Sequence, residues 1–364
     1  MKTSRRQFLM AAGMVGAAAT KMWRQEARGA QAPQQRGDYH WGDPYEYLPQ
    51  ARAADHRELL PPEAIRGPWR NLRAVQQGKV IDIGSHSSET RTQSATLAGV
   101  SSVRGQEEVV DFTESLIESM DRHGIAKACL TPVSINGRTQ FPEIVRSQER
   151  YPGRFEVWGG LRNLRPRPVG VEAARILREQ LTLHGAKGVG EGAFPRSDNP
   201  EDLRPFMEVV MEFDVPVLSD AGGWSQAGAS GSYSAGWRGF ERFGNLVAQW
   251  PGVTWVMCDS GGPFDYLDGF EALRVAYSFE NVYMELSKST APKITEAVKG
   301  IGAERVIYGS DWNRPEMKAY GPFHTRACFQ HWWVLNEIAM ADITEEQRDM
   351  ILYKNALRLL KQSN

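Results

Sequence analysis

The chain has 364 residues, 41% of them hydrophobic and 24% charged, a globular composition with room for one large domain or two small ones. A formal net charge of −1 argues against the phosphate-neutralising surface of a nucleic-acid binder. Cys129, Cys258 and Cys328 are odd in number and far apart, so neither a disulfide framework nor a zinc-ribbon spacing is present.

The first stretch reads as a targeting segment. Ser4-Arg5-Arg6-Gln7-Phe8-Leu9-Met10 is a twin-arginine signature, and the apolar run that follows is too short to span a membrane. Ala30-Gln31-Ala32 supplies small residues for cleavage, so residues 1–32 are expected to be a signal peptide removed after Ala32. That peptide holds six basic side chains and one acidic, so its loss leaves a mildly acidic mature chain. Residues 33–78, rich in Pro, Arg, Gln and aromatic residues, are expected to form an arm, with short helices around 51–60.

From residue 79 onward, short apolar runs alternate with amphipathic segments. Strands are predicted at 80–84, 126–133, 155–161, 186–191, 215–220, 253–259, 282–286 and 305–310. The intervening helices are predicted at 109–123, 142–151, 171–184, 201–213, 240–250, 266–279 and 292–301. A last helical region covers 331–360, broken near 341–343, with Asp342 and Thr344 as capping residues for its final helix. Eight strand–helix units are the arithmetic of an α/β fold closed as a (β/α)8 barrel over residues 79–364, with the arm in front. An open doubly wound sheet is the alternative, but Gly84-Ser85-His86-Ser87 is not the Gly-rich phosphate turn that fold usually carries.

In a barrel, function gathers at the carboxyl ends of the strands. Those ends carry Asp82 and His86, then Glu191, Asp220, Asp259 and Asp311. Period-two spacing puts Asp82, Gly84 and His86 on one face of the first strand and Ile81 and Ile83 on the other. Acids converging on one mouth repel, so they need a cation, shared protons, a cationic substrate or a basic partner such as Arg162, Lys288 or Arg314. One imidazole among several carboxylates suits Mn²⁺, Mg²⁺ or Ca²⁺ better than Zn²⁺. Glycine- and serine-rich 222–239, with Trp224, has the composition of a mobile lid over a substrate. Arg162 and Arg314 are candidate clamps for a substrate carboxylate, with Trp312 beside them.

These residues in this order resemble the amidohydrolase superfamily, and in particular its amidohydrolase-related TIM-barrel branch of decarboxylases, lactonases and related hydrolases. The resemblance lies in Val80-Ile81-Asp82-Ile83-Gly84-Ser85-His86, Ser219-Asp220-Ala221-Gly222-Gly223, Cys258-Asp259-Ser260-Gly261-Gly262 and Gly309-Ser310-Asp311-Trp312, and in the ending Ile343-Thr344-Glu345-Glu346 through Leu360. It implies an enzyme with Asp311 as general base and His86 as metal ligand or hydrogen-bond donor. A carboxylate among other acids is expected to have its pKa raised, which suits that base role. The chain departs from the pattern where Gly84, Asp220 and Asp259 stand in place of the family's histidines.

The resemblance therefore implies a hydrolase of a small carbonyl or carboxylate compound, an ester, lactone or amide, and the twin-arginine segment implies that it is exported, periplasmic or extracellular. Its metal set would be His86, Glu191, Asp220, Asp259 and Asp311 around a divalent Mn, Mg, Ca or Zn ion, or there would be no metal. A metal-independent lactonase or decarboxylase, and a barrel that binds a small molecule without catalysis, stand as alternatives. The expected partners are the substrate and the twin-arginine export machinery, with no nucleic acid and no membrane after cleavage; a homo-oligomer is left open.

Overall fold

The computed structural model describes residues 67–86, 112–131, 141–161, 164, 166–191, 193–195, 197, 199–220, 236–258, 268–312 and 331–362. All lie in the second of the chain's two units, Gln50–Asn364. The predicted signal peptide, most of the arm with the helices around 51–60, residues 222–235 of the lid segment 222–239, and Arg162, Asp259 and Arg314 lie outside the described residues, whereas residues 236–239 of that segment begin a helix.

Seven strands are named among the described residues: β1 Val80–Ser85, β2 Ile125–Leu130, β3 Phe155–Val157, β4 Val217–Asp220, β5 Trp255–Cys258, β6 Val282–Glu285 and β7 Val306–Ile307. All strand pairs are parallel, in the orders β1-β2-β3 and β4-β5-β6-β7. The predicted fourth strand is reduced to Val189, which bridges Gly159 on one side and Val217 on the other. Its neighbour Gly188 sits in a tight gap. A Cβ there would lie 2.3 Å from the Pro216 carbonyl oxygen and 2.6 Å from the Trp158 ring, so only glycine admits so close an approach.

The ring closes between the last strand position and the first. Ile83 N–H donates to Tyr308 O at 3.2 Å, His86 N–H donates to Trp312 O at 2.7 Å, and Ser85 bridges Trp312. The fold is thus an eight-position (β/α)8 barrel, as the strand–helix count predicts.

Each strand position is followed by a helix: α1 Phe112–Arg122, α2 Phe141–Arg150, α3 Gly170–Leu183, α4 Pro200–Glu212, α5 Gly236–Gln249, α6 Asp268–Ser278, α7 Ala291–Ile301 and α8 His331–Met340. Strand residues alternate between two cores. Val80, Trp255, Met257 and Val306 pack outward with helix residues such as Leu116, Phe206, Phe243 and Val334. Ile81, Ile83, Cys129, Trp158, Leu218, Val256, Cys258 and Ile307 come from strands all round the ring yet share one cluster, so they fill its interior. The Trp158 indole N–H satisfies its polar handle on Ile83 O at 2.8 Å.

The floor of that interior is the end of the chain. Thr344 caps the final helical region with a capping box, its side chain and that of Gln347 each accepting from the other's backbone N–H. Asp342 does not cap; its N–H donates to Thr295 Oγ1 at 2.9 Å. The region runs Glu345–Asp349, then a π-helical stretch Met350–Lys354, then Asn355–Leu359. Ala356, Leu359 and Leu360 pack into the interior cluster. Within the π stretch, Ile351 O accepts the Tyr308 N–H at 3.0 Å, tying floor to wall. Residues 67–78 are also packed: a 3-10 helix Pro68–Asn71 and the single turn Arg73–Gln76 bury Trp69, Leu72 and Ala74.

Candidate active site

Five side chains meet just past the carboxyl ends of the strands. His86 follows β1, Thr131 follows β2, Glu191 follows the Val189 bridge, Lys288 follows β6 and Asp311 follows β7. His86 Nε2 lies 2.8 Å from Asp311 Oδ1 and 3.2 Å from Glu191 Oε2. Its other ring nitrogen is 2.6 Å from the Thr131 hydroxyl, which fixes the plane of the ring. Lys288 Nζ sits 3.0 Å from Asp311 Oδ2, with only 6% of its side chain exposed. Asp311 is therefore held on one oxygen by an imidazole and on the other by an ammonium.

The backbone is bent to make this possible. Asp311 and Lys288 have φ of 50° and 62°, in the left-handed region that side chains with a Cβ rarely enter. Two buried acids secure the turns. Asp82 accepts from Gly84 N–H at 3.0 Å and from the Ser85 hydroxyl at 2.7 Å, immediately before His86. Glu285 accepts from the Ser287 N–H and hydroxyl, both at 2.7 Å, immediately before Lys288. Asp82 also takes the N–H of Ser310 at 3.1 Å and its hydroxyl, so one carboxylate anchors the residues before both His86 and Asp311. Gly309 completes the motif, because a Cβ on it would fall 2.2 Å from a Glu285 carboxylate oxygen.

The face assignment of the first strand needs correction. Asp82 does lie opposite Ile81 and Ile83, but on the outer face: His331 of α8 approaches it at 3.3 Å. A register shift between Asp82 and Ser85 interrupts the alternation, and His86 joins Glu191 and Asp311 while Asp82 does not. Trp312, expected near the substrate, is fully buried and stacks near the His331 ring at 6.2 Å, within the wall. Asp220 ends β4, paired with Cys258 through the backbone; its side chain lies outside what is described, as does Asp259.

Electrostatics correct a second expectation. Burial acts to raise the pKa of Asp311, as acidic neighbours would, but the Lys288 ammonium and the bond to His86 outweigh it and hold the carboxyl below its usual range. Burial would lower the pKa of His86, yet the hydrogen bonds and charges of Asp311 and Glu191 win and push it up to about 10. The sequence pointed to His86, Glu191 and Asp311, and to Lys288 as a basic partner for the acids. It missed Thr131, whose only signal is that it ends an apolar run before Pro132.

A metal is implied by the resemblance, and the donor set tests that implication. His86, Glu191 and Asp311 each bring a ligand atom within 4.8 Å of the others, close enough to share one ion. The charges do not fit one. The Lys288 ammonium already occupies Asp311 at 3.0 Å, and His86 Nε2 is spent on Asp311 and Glu191 at 2.8 and 3.2 Å, where a ligating imidazole would have to turn a bare nitrogen to the ion instead. The described residues therefore do not fit a resident divalent metal.

A closed barrel with such a cluster at the carboxyl ends of its strands defines a barrel enzyme. The amidohydrolase family profile matches residues 138–362, more than half of the sequence, and the chain belongs to that family. It is accordingly an enzyme, a hydrolase or a decarboxylase, and the alternative of a barrel without catalysis is set aside.

Solved structures share the fold at low identity. A TIM-barrel protein from Bordetella bronchiseptica is 16% identical with a TM-score of 0.54, covering 78% of this chain and 99% of that one. Dihydroxybenzoic acid decarboxylase from Polaromonas, solved with manganese and 2-nitroresorcinol, is 18% identical with a TM-score of 0.52, covering 78% and 97%. 5-Carboxyvanillate decarboxylase from Sphingomonas paucimobilis is 14% identical with a TM-score of 0.52, covering 78% and 99%. No curated protein matches the sequence.

Proposed function

We propose that the chain hydrolyses a small ester, lactone or amide, with Asp311 as the general base. The observation that carries this is the grip on Asp311: His86 at 2.8 Å on one oxygen and Lys288 at 3.0 Å on the other. Its lowered pKa keeps Asp311 ionised near neutral pH and ready to accept a proton, though as a weak base.

The two cations compensate for that weakness. As water attacks the carbonyl carbon, its proton passes to Asp311, a carbon–oxygen bond forms and the carbonyl electron pair moves onto oxygen. Neutralising Asp311 leaves the Lys288 ammonium and the His86 imidazolium short of counter-charge just as the oxyanion appears. Collapse of that tetrahedral species expels the alcohol or amine, which takes the proton back from Asp311. Thr131 keeps the His86 ring aligned throughout.

A second reading is supported by the same pair of cations. Lys288 and His86 would hold a substrate carboxylate through its loss as CO₂, the kind of reaction named for the Polaromonas and Sphingomonas structures. Assays of nitrophenyl esters and lactones beside CO₂ release from hydroxybenzoates separate the two. Asp311→Asn is expected to lower turnover about 10²–10⁴-fold; unchanged turnover on every substrate the wild type accepts removes Asp311 as the base. Export by the twin-arginine route to the periplasm or beyond belongs to the same proposal and rests on Arg5-Arg6 and Ala30-Gln31-Ala32. Among the described residues, no helix is long and apolar enough to cross a membrane.

A further inference from the structure

We propose that Lys288 is the built-in cation of this site, standing in electrostatically for a divalent metal, and that removing its charge opens a metal site at His86, Glu191 and Asp311. The three donors are already within 4.8 Å of one another, so nothing in their spacing prevents a shared ion. What prevents it is the ammonium lying 3.0 Å from Asp311 Oδ2, inside the same cluster. A divalent ion on Asp311 would share that carboxylate with a fixed positive charge a few ångströms away, in surroundings too dry to screen it.

The ammonium is placed there by the fold rather than by chance. Lys288 is buried, adopts a left-handed backbone, and follows a turn clamped to Glu285 by the N–H and hydroxyl of Ser287. Gly309 lets the Asp311 strand pass against that same Glu285. The cation and its acid are thus set by one packed unit. At the first strand, Gly84 contributes no side chain toward any ion.

The inference concerns the same cluster as the proposed hydrolysis, but its test reads metal rather than turnover, so either can fail alone. The full chain is freed of metal by chelation and titrated with Mn²⁺, with free ion followed by electron paramagnetic resonance. Wild-type protein is expected to bind Mn²⁺ weakly, and Lys288→Met to bind one equivalent at least roughly tenfold more tightly. Adding Glu191→Gln to Lys288→Met should abolish the gain. Lys288→Arg, which keeps the charge, should bind as weakly as wild type, and circular dichroism of each variant verifies that it folds. Tight stoichiometric binding by wild type, no gain in a folded Lys288→Met, or equal gains in the Met and Arg variants would each overturn the proposal.

Discussion

His86 carries a pH signature that can be read without a substrate. Its pKa stands near 10 in the folded chain against an ordinary value of 6.5, so the stability it contributes is complete below about pH 6.5 and drains away as pH rises through about 10. Asp311 behaves in the opposite sense: its lowered pKa contributes stability above the ordinary carboxylate value and loses it as pH falls through the lower folded value. The melting temperature of the wild type is therefore expected to decline between about pH 7 and 10, and His86→Gln to flatten that decline. An equally steep decline in the variant would assign the alkaline loss to other groups. At this scale the sequence was a fair guide to which residues matter and a poor one to their charge. It showed an excess of acids around His86, but Lys288 reaches Asp311 only because two turns far apart in the chain fold against Glu285, a contact no local pattern encodes.

At the scale of elements, the informative feature is the irregular end of β1. A regular strand would have kept Asp82 and His86 on one face; alternation with the inward Ile81 and Ile83 puts the acid outward, and the register shift between Asp82 and Ser85 lets the imidazole join the mouth. Asp82 then works as a fastener. It is fully buried and accepts bonds from Gly84, Ser85 and Ser310, coupling the first strand to the Gly309-Ser310-Asp311 turn. Asp82→Ala is expected to cost about 1–3 kcal/mol for each buried donor left without a partner, and to lower activity by loosening Asp311. Urea unfolding measures the first effect, and loss limited to a few tenths of a kcal/mol would contradict the anchoring role. Period-two reasoning assigns faces correctly only while the strand stays regular, which is why Asp82 was expected in the mouth. The helices were easier to foresee, because their apolar stripes repeat over several turns: α3, α4 and α7 start and stop within a few residues of their predicted limits. At the fourth position the regular strand shortens to the Val189 bridge, and its two glycines pack closely against Trp158 while still bonding Gly159 through the backbone.

For the molecule as a whole, the barrel was legible in the alternation of apolar runs and amphipathic segments, since each unit repeats the same solvent logic. The plug at its base was visible only as a terminal helix. That Leu359 and Leu360 enter the ring interior beside Ile81, Ile83 and Cys258 depends on how the ring closes, which sequence periodicity does not report. Leu360→Ala is expected to cost about 2–5 kcal/mol, in the range of buried leucine truncations, and to depress the melting temperature without changing the His86–Asp311 distance. A loss comparable to that of a surface substitution would show that the floor bears little of the stability.

The seam between the last strand position and the first also governs when this protein becomes competent. His86 and Asp311 lie 225 residues apart in the chain and meet where His86 N–H finds Trp312 O. Paying the loop entropy for so remote a contact is slow, so the site is assembled by ring closure itself. A chain whose helices have formed but whose ends have not met would hold every reactive group and still be inert. Activity in this molecule is thus a late event in its own folding, not a property any fragment of the barrel can carry early.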